Sequence, residues 1–152
     1  MELFLSYSHR DERLKDELDI HLSGLKREGL VSSWNDRKIT AGSEWKDEIN
    51  RRLAGANLII LLVSASFLAS DFCYEEEMTK ALRRNQEGTA KVIPVILSPV
   101  DWKSSPLRQL QALPKDAKPI TSWSNRQAAL LDTARGIRGV IENLTAPRSP
   151  GR

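Results

Sequence analysis

Asn57–Val63 reads NLIILLV, the most apolar run in the chain. A short run without polar alternation, with Gly55-Ala56 before it and Ser64 after it, predicts a strand buried on both faces. Such strands belong to parallel sheets covered by helices on both sides. Beyond its C-terminal end comes Ser70–Met78, SDFCYEEEM, with the only cysteine and three consecutive glutamates. Open α/β sheets bind ligands outside the carboxyl ends of their strands. This acidic stretch is therefore the first candidate for chemistry.

Working outward, Leu3–Tyr7 (LFLSY), Leu30–Trp34 (LVSSW) and Lys91–Leu97 (KVIPVIL) read as three further strands, and Lys118–Thr121 (KPIT) as a brief edge strand. Pro94 lacks a ladder donor, which predicts a bulge or a strand end there. Between the strands, Asp11–Lys26 carries Leu14, Leu18, Leu22 and Leu25 at helical spacing, and Gly29 closes that helix. A second helix is expected from a Ser43 cap to about Leu53, a third over Asp71–Arg84, and a last over Asn125–Leu144 with Leu130, Ala134, Ile137, Val140, Ile141 and Leu144 inward. Asn35–Gly42 is a polar loop. Alternating strands and helices predict an α/β fold: a flavodoxin-like, doubly wound, five-stranded parallel sheet with helices on both faces. Tyr7–Arg10, Trp34–Gly42 and Ser64–Glu77 would wall the crevice at its switch point.

The 152 residues suit one domain over residues 1–145; residues 146–152, ending PRSPGR, have linker composition and are expected to lead to a further domain. No apolar run approaches the length of a membrane span. Met1–Phe4 enters a strand with no basic region or cleavage site, which predicts a cytoplasmic protein. One cysteine and two histidines argue against disulfides and against a Cys- or His-based metal site. The net charge of +3 is spread through the chain, without the interleaved aromatics that single-stranded nucleic acid requires. No nucleic-acid partner is expected, while Arg51-Arg52 and Arg83-Arg84 suit an anionic ligand or an acidic partner face.

Three segments in order, LFLSYSHRDE (Leu3–Glu12), WNDRKITAGSEWKDEI (Trp34–Ile49) and LLVSASFLASDFCYEEEM (Leu61–Met78), resemble the boxes of the TIR (Toll/interleukin-receptor) domain family, in the style of its bacterial members. The second resembles the family's BB loop and following helix, the third its Ser-x-x-Cys-x-x-Glu-like region. The resemblance implies cleavage of NAD+ at the nicotinamide–ribose bond, giving nicotinamide with ADP-ribose or a cyclic isomer. One helix glutamate carries the reaction, activity depends on self-association, and the setting is antiphage defence. NAD+ is then a consumed substrate, and no cofactor is needed; no GxGxxG follows the first strand. The alternative is a non-catalytic TIR interaction module, which needs no carboxylate in the third box. A response regulator would need a phospho-accepting Asp at the end of the third strand, where this chain has Val63-Ser64.

Helical phase sorts the glutamates. With Met78, Ala81 and Leu82 as the buried stripe, about 100° per residue puts Glu76 opposite it. Glu77 shares a small, polar row with Ser70, Cys73 and Ala81; Glu75 lies with Thr79 and Leu82. Glu77 also directly precedes an apolar residue, as the family's glutamate does. Glu77 is thus the catalytic candidate and Glu75 the runner-up, while strict Cys-x-x-Glu spacing favours Glu76. All three serve equally as a charge cluster at a positive helix end.

The resemblance puts the residues after the first strand in the nucleotide pocket. Ser8 and Arg10 are candidates there, Arg10 for a phosphate or, equally, for a salt bridge with Asp11 or Glu12. His9 as a base has no supporting spacing. Trp34 and Asp36 enter the BB loop; Trp34 and Trp45 suit stacking on a ring of the substrate or packing of the core. Ser64, with Ser66, suits a ribose or phosphate contact or a turn. Cys73 joins the substrate-facing row as a small residue, with no histidine spaced to make it a nucleophile. Arg37, Lys38 and Ile39 at the loop tip are the expected contacts to a neighbouring TIR domain.

Overall fold

A computed structural model describes residues 1–35 and 44–145. The expectations for Asp36, Arg37, Lys38, Ile39, the Ser43 cap and residues 146–152 lie outside the described residues. Four parallel strands, β1 (Glu2–Ser6), β2 (Ser32–Trp34), β3 (Leu58–Val63) and β4 (Lys91–Ile96), lie in the order β2-β1-β3-β4. Leu3 pairs with Ser33 on one side and Leu58 on the other, so β1 is central and the chain reverses direction between β1 and β3. All six residues of β3 are buried, as its unbroken apolar sequence requires.

Strand alternation feeds two cores. Leu3, Leu5, Ile60 and Leu62 pack under α1 (Glu12–His21), α2 (Ser23–Arg27) and α6 (Arg126–Thr145), against Leu18, Leu22, Leu25, Leu130 and Ile137. Phe4, Trp34, Ile59, Leu61 and Val63 face the other way, against Ile49 and Leu53 of α3 (Trp45–Gly55), Phe67 of α4 (Ala65–Ala69), and Met78 and Ala81.

The fifth strand expected at Lys118–Thr121 is not formed. Asp116 and Ala117 have positive φ, and Ile120–Ser122 is a 3-10 turn after Pro119, which lacks a donor. Two point contacts cover the outer edge of β4 instead. Leu113 donates to the Pro94 carbonyl at 2.9 Å and accepts from Ile96 at 2.8 Å, and the Thr121 amide reaches Leu97 at 3.0 Å. Those bonds also explain Pro94, which sits inside β4 opposite Leu61 rather than at a bulge or an end. Its carbonyl points to the outer edge, so its donorless nitrogen does too, and the β3 ladder loses nothing.

Three helix expectations change as well. The first helix breaks at Leu22 into α1 and α2, with Gly29 closing it at φ 73°. Leu144 is 48% exposed, because the inward stripe of α6 ends at Ile141. The helix expected over Asp71–Arg84 is a π-helical turn, Phe72–Met78, running into α5 (Thr79–Gln86). Among the described residues, no helix is long and apolar enough to cross a membrane.

Candidate active site

A cavity of about 540 Å³ opens beside the C-terminal end of β1, on the α3 side of the sheet. Its walls come from three places: Tyr7–Arg10 after β1, Trp45 and Ile49 on α3, and Ser70, Phe72, Cys73 and Glu77 after β3. This is the crevice that doubly wound topology leaves at the reversal between β1 and β3. Its volume falls in the range of small-molecule sites.

Glu77 is 6% exposed and lines this cavity, whereas Glu75 and Glu76 are exposed to solvent. Glu76 sits 3.5 Å from Lys80, an ordinary surface pair one helical turn on. A carboxylate held in a largely apolar recess is costly to bury without compensating contacts, and such groups concentrate where charge is used. Cys73, one turn before Glu77, donates from Sγ to the Tyr7 carbonyl at 3.5 Å, tying the π-helical turn to the end of β1.

The Tyr7–Arg10 wall is set by a cap. The Ser8 hydroxyl accepts the Arg10 amide at 3.4 Å and starts a 3-10 turn over His9–Asp11. Tyr7 and His9 stack with ring centroids 6.2 Å apart, and the buried Lys15 lies 5.2 Å from the Tyr7 ring. Across the mouth, Trp45 is 51% exposed and leans on Phe72 at 5.1 Å. The cavity thus offers aromatic faces, a guanidinium-bearing loop and one buried carboxylate.

Of the residues expected from sequence, Ser8, Arg10, Trp45, Cys73 and Glu77 meet here. Trp34 and Ser64 do not. Trp34 is buried, stacked on Phe4 at 5.5 Å with the Arg52 guanidinium 5.8 Å from its ring. Ser64 is buried too; it accepts the Phe67 amide at 3.0 Å to cap α4, and its hydroxyl donates to Asp11. It therefore joins the loops after β1 and β3 from behind the cavity. Ile49 is a wall residue outside the segments expected to wall the crevice; Tyr7 and Phe72 lie inside those segments without having been singled out, and His9 was weighed only as a base. Among the described residues, no cluster of His, Cys, Asp or Glu has the makings of a metal site.

A switch-point cavity on a four-stranded parallel sheet defines a doubly wound α/β binding domain. The TIR domain family profile matches residues 3–131, and the chain belongs to that family. It is 44% identical over 147 residues to the uncharacterized protein y4lF of Sinorhizobium fredii; the match covers 97% of this chain but 46% of that protein, so the chain spans about half its relative's length. Its fold is similar to the crystal structure of the TIR domain of the Toll-related receptor TRR-2 from Hydra magnipapillata, with a TM-score of 0.62 over 90% of this chain and 97% of that one, at 18% identity.

Proposed function

We propose that this TIR domain is an NAD+ glycohydrolase, with Glu77 as its catalytic carboxylate. The observation that carries the reading is the burial of Glu77, alone among the three glutamates, in the wall of the switch-point cavity. Breaking the bond between ribose C1′ and the nicotinamide nitrogen builds positive charge on the ribose. The bonding pair returns to the pyridinium nitrogen, so nicotinamide leaves neutral and needs no general acid. A fixed carboxylate facing the ribose opposes that growing charge in a site of low dielectric. Water then adds to C1′ and loses a proton, giving ADP-ribose; attack by a nitrogen or hydroxyl of the bound nucleotide gives a cyclic isomer instead.

The remaining wall groups suit the rest of the substrate. Trp45 offers an exposed ring for stacking, Arg10 a guanidinium for the diphosphate, and Ser8 and Cys73 small polar contacts. Asp36, outside the described residues, is proposed as a further substrate contact on its sequence position at the start of the BB loop. NAD+ is consumed and no resident cofactor takes part. Activity depends on homotypic self-association through Arg37, Lys38 and Ile39, driven by a C-terminal sensor or oligomerisation domain after the linker at residues 146–152. The setting is cytoplasmic, in antiphage defence.

The test is a concentration series of the protein with NAD+, following free nicotinamide. Turnover that rises more steeply than protein concentration supports both parts of the reading. No nicotinamide from the assembled protein returns the chain to the class of non-catalytic TIR interaction modules.

A further inference from the structure

The π-helical turn bears on why Glu77, and not Glu76, reaches the cavity. In an α-helix the residues that straddle the row of position i are i+3 and i+4. In a π-helical turn the hydrogen bonds run from i to i+5, so the straddling positions move one residue on, to i+4 and i+5. An α-helix sets Cys73 and Met78 about 140° apart, so it cannot bury both: held on Met78 it turns Cys73 out, and held on the buried Cys73 it turns Glu76 and Glu77 inward together and rotates Met78 away. The observed turn buries Cys73, Glu77 and Met78. Glu76 stays outside with Lys80, and Met78 is 1% exposed in the core. The bonding on either side marks where the widening lies. The Tyr74 amide still bonds Ser70 four residues back, at 2.9 Å. At the other end the Thr79 amide bonds the Glu76 carbonyl three residues back, so the widening lies between, over Phe72–Met78.

We propose that the turn over Phe72–Met78 contains one residue more than an α-helix needs, and that this extra residue is the positioning device that presents a single carboxylate, Glu77, to the cavity while Met78 stays anchored in the core. The alternative register would bury two adjacent carboxylates in one apolar recess and expose a methionine, and both changes are unfavourable. The inference rests on the proposed role of Glu77 for its catalytic consequence, but the register itself does not.

Removing Glu76 tests it. Any one of the three consecutive glutamates gives the same shortened chain, Cys73-Tyr-Glu-Glu-Met, so the variant is unambiguous. Its α-helix straddles Cys73 with the last glutamate and Met78, the same pair as before. The expected result is a Tm within about 2 °C of the parent or higher, and nicotinamide release within about tenfold, against the 10²-fold cost of a misplaced catalytic group. Removing Lys80 from the regular α5 helix is the control and lowers Tm sharply. A shortened chain that fails to fold, or loses as much Tm as the Lys80 deletion, overturns the proposal. In the unaltered protein, hydrogen-bond scalar couplings across Phe72–Met78 should connect residues five apart; couplings four apart throughout would also overturn it. If the parent releases no nicotinamide while the Tm pattern holds, the glycohydrolase reading fails and the register stands.

Discussion

Cys73 and Tyr7, far apart in sequence, meet at 3.5 Å through a thiol-to-carbonyl hydrogen bond between the π-helical turn and the residue after β1. This contact joins the carboxylate-bearing wall of the cavity to the loop that carries Ser8 and Arg10. It also gives Cys73 a structural task, as an anchor of the turn to the end of β1.

Cys73→Ala should therefore cost about 1 kcal/mol of stability, the worth of one weak buried hydrogen bond with its packing. Nicotinamide release should stay within about threefold of the parent, where loss of a covalent nucleophile would remove turnover. Chemical denaturation and a steady-state assay check the two parts.

Trp45 is half in solvent and packs against the Phe72 ring. Trp45→Ala should leave Tm nearly unchanged. Losing a stacked ring costs about 0.5–1.5 kcal/mol of binding, which corresponds to a KM for NAD+ raised about three- to tenfold. Unchanged kcat and KM would place Trp45 outside the substrate contact.

The sheet order, the central β1, the two helical layers and the position of the crevice were legible because hydrophobic period and strand alternation are local signals. The unbroken apolar β3 and the leucines of α1 carry them. The fifth strand was misjudged because Lys118–Thr121 has strand composition, while the backbone there is decided by Pro119 and the positive φ of Asp116 and Ala117 just before it. Trp34 and Ser64 lie in the right segments but on the core side, and alternation along so short a strand as β2 does not separate a core face from a cavity rim. Helical phase singled out Glu77 although the turn is π-helical, because position i+4 shares the row of Cys73 in both geometries. Phe72 lay inside a segment expected to wall the crevice, but no signal singled it out.

Two glycines of α6 should respond in opposite directions. Gly139 is exposed, and a methyl group there meets nothing within 4 Å. Gly139→Ala should raise stability by about 0.5–1 kcal/mol through helix propensity. At Gly136 an added Cβ falls 2.6 Å from the Leu113 Cδ2 and 3.3 Å from its Cγ, so the Leu113 side chain has to shift while its backbone stays bonded at the edge of β4. Gly136→Ala should lose that gain and destabilise by about 1–3 kcal/mol through overpacking. Thermal melts of the two variants side by side decide this.

An acid-sensitive contact joins α6 to the end of α2. Arg138 donates to both carboxylate oxygens of Glu28, at 2.5 and 3.3 Å, and this hydrogen bonding holds the Glu28 pKa below its ordinary value of 4.5. A depressed carboxylate contributes stability above its unfolded pKa and loses it as pH falls through the folded value. Both side chains face solvent, so the effect is small. The Tm advantage of the parent over Glu28→Gln should be constant at neutral pH, shrink below about pH 4.5, and fade in high salt. An advantage that grows on acidification would contradict the assignment.

The most direct measurement is nicotinamide release from NAD+ by the concentrated, assembled protein, with Glu75→Gln, Glu76→Gln and Glu77→Gln compared at matched folding. Each substitution keeps the size of the side chain and removes its charge. The expected result is a loss of about 10²–10³-fold or more for Glu77→Gln, the scale of a missing electrostatic contact to the transition state, with the other two close to the parent. Parent-like release by Glu77→Gln, or a comparable collapse in Glu75→Gln or Glu76→Gln, would contradict the account.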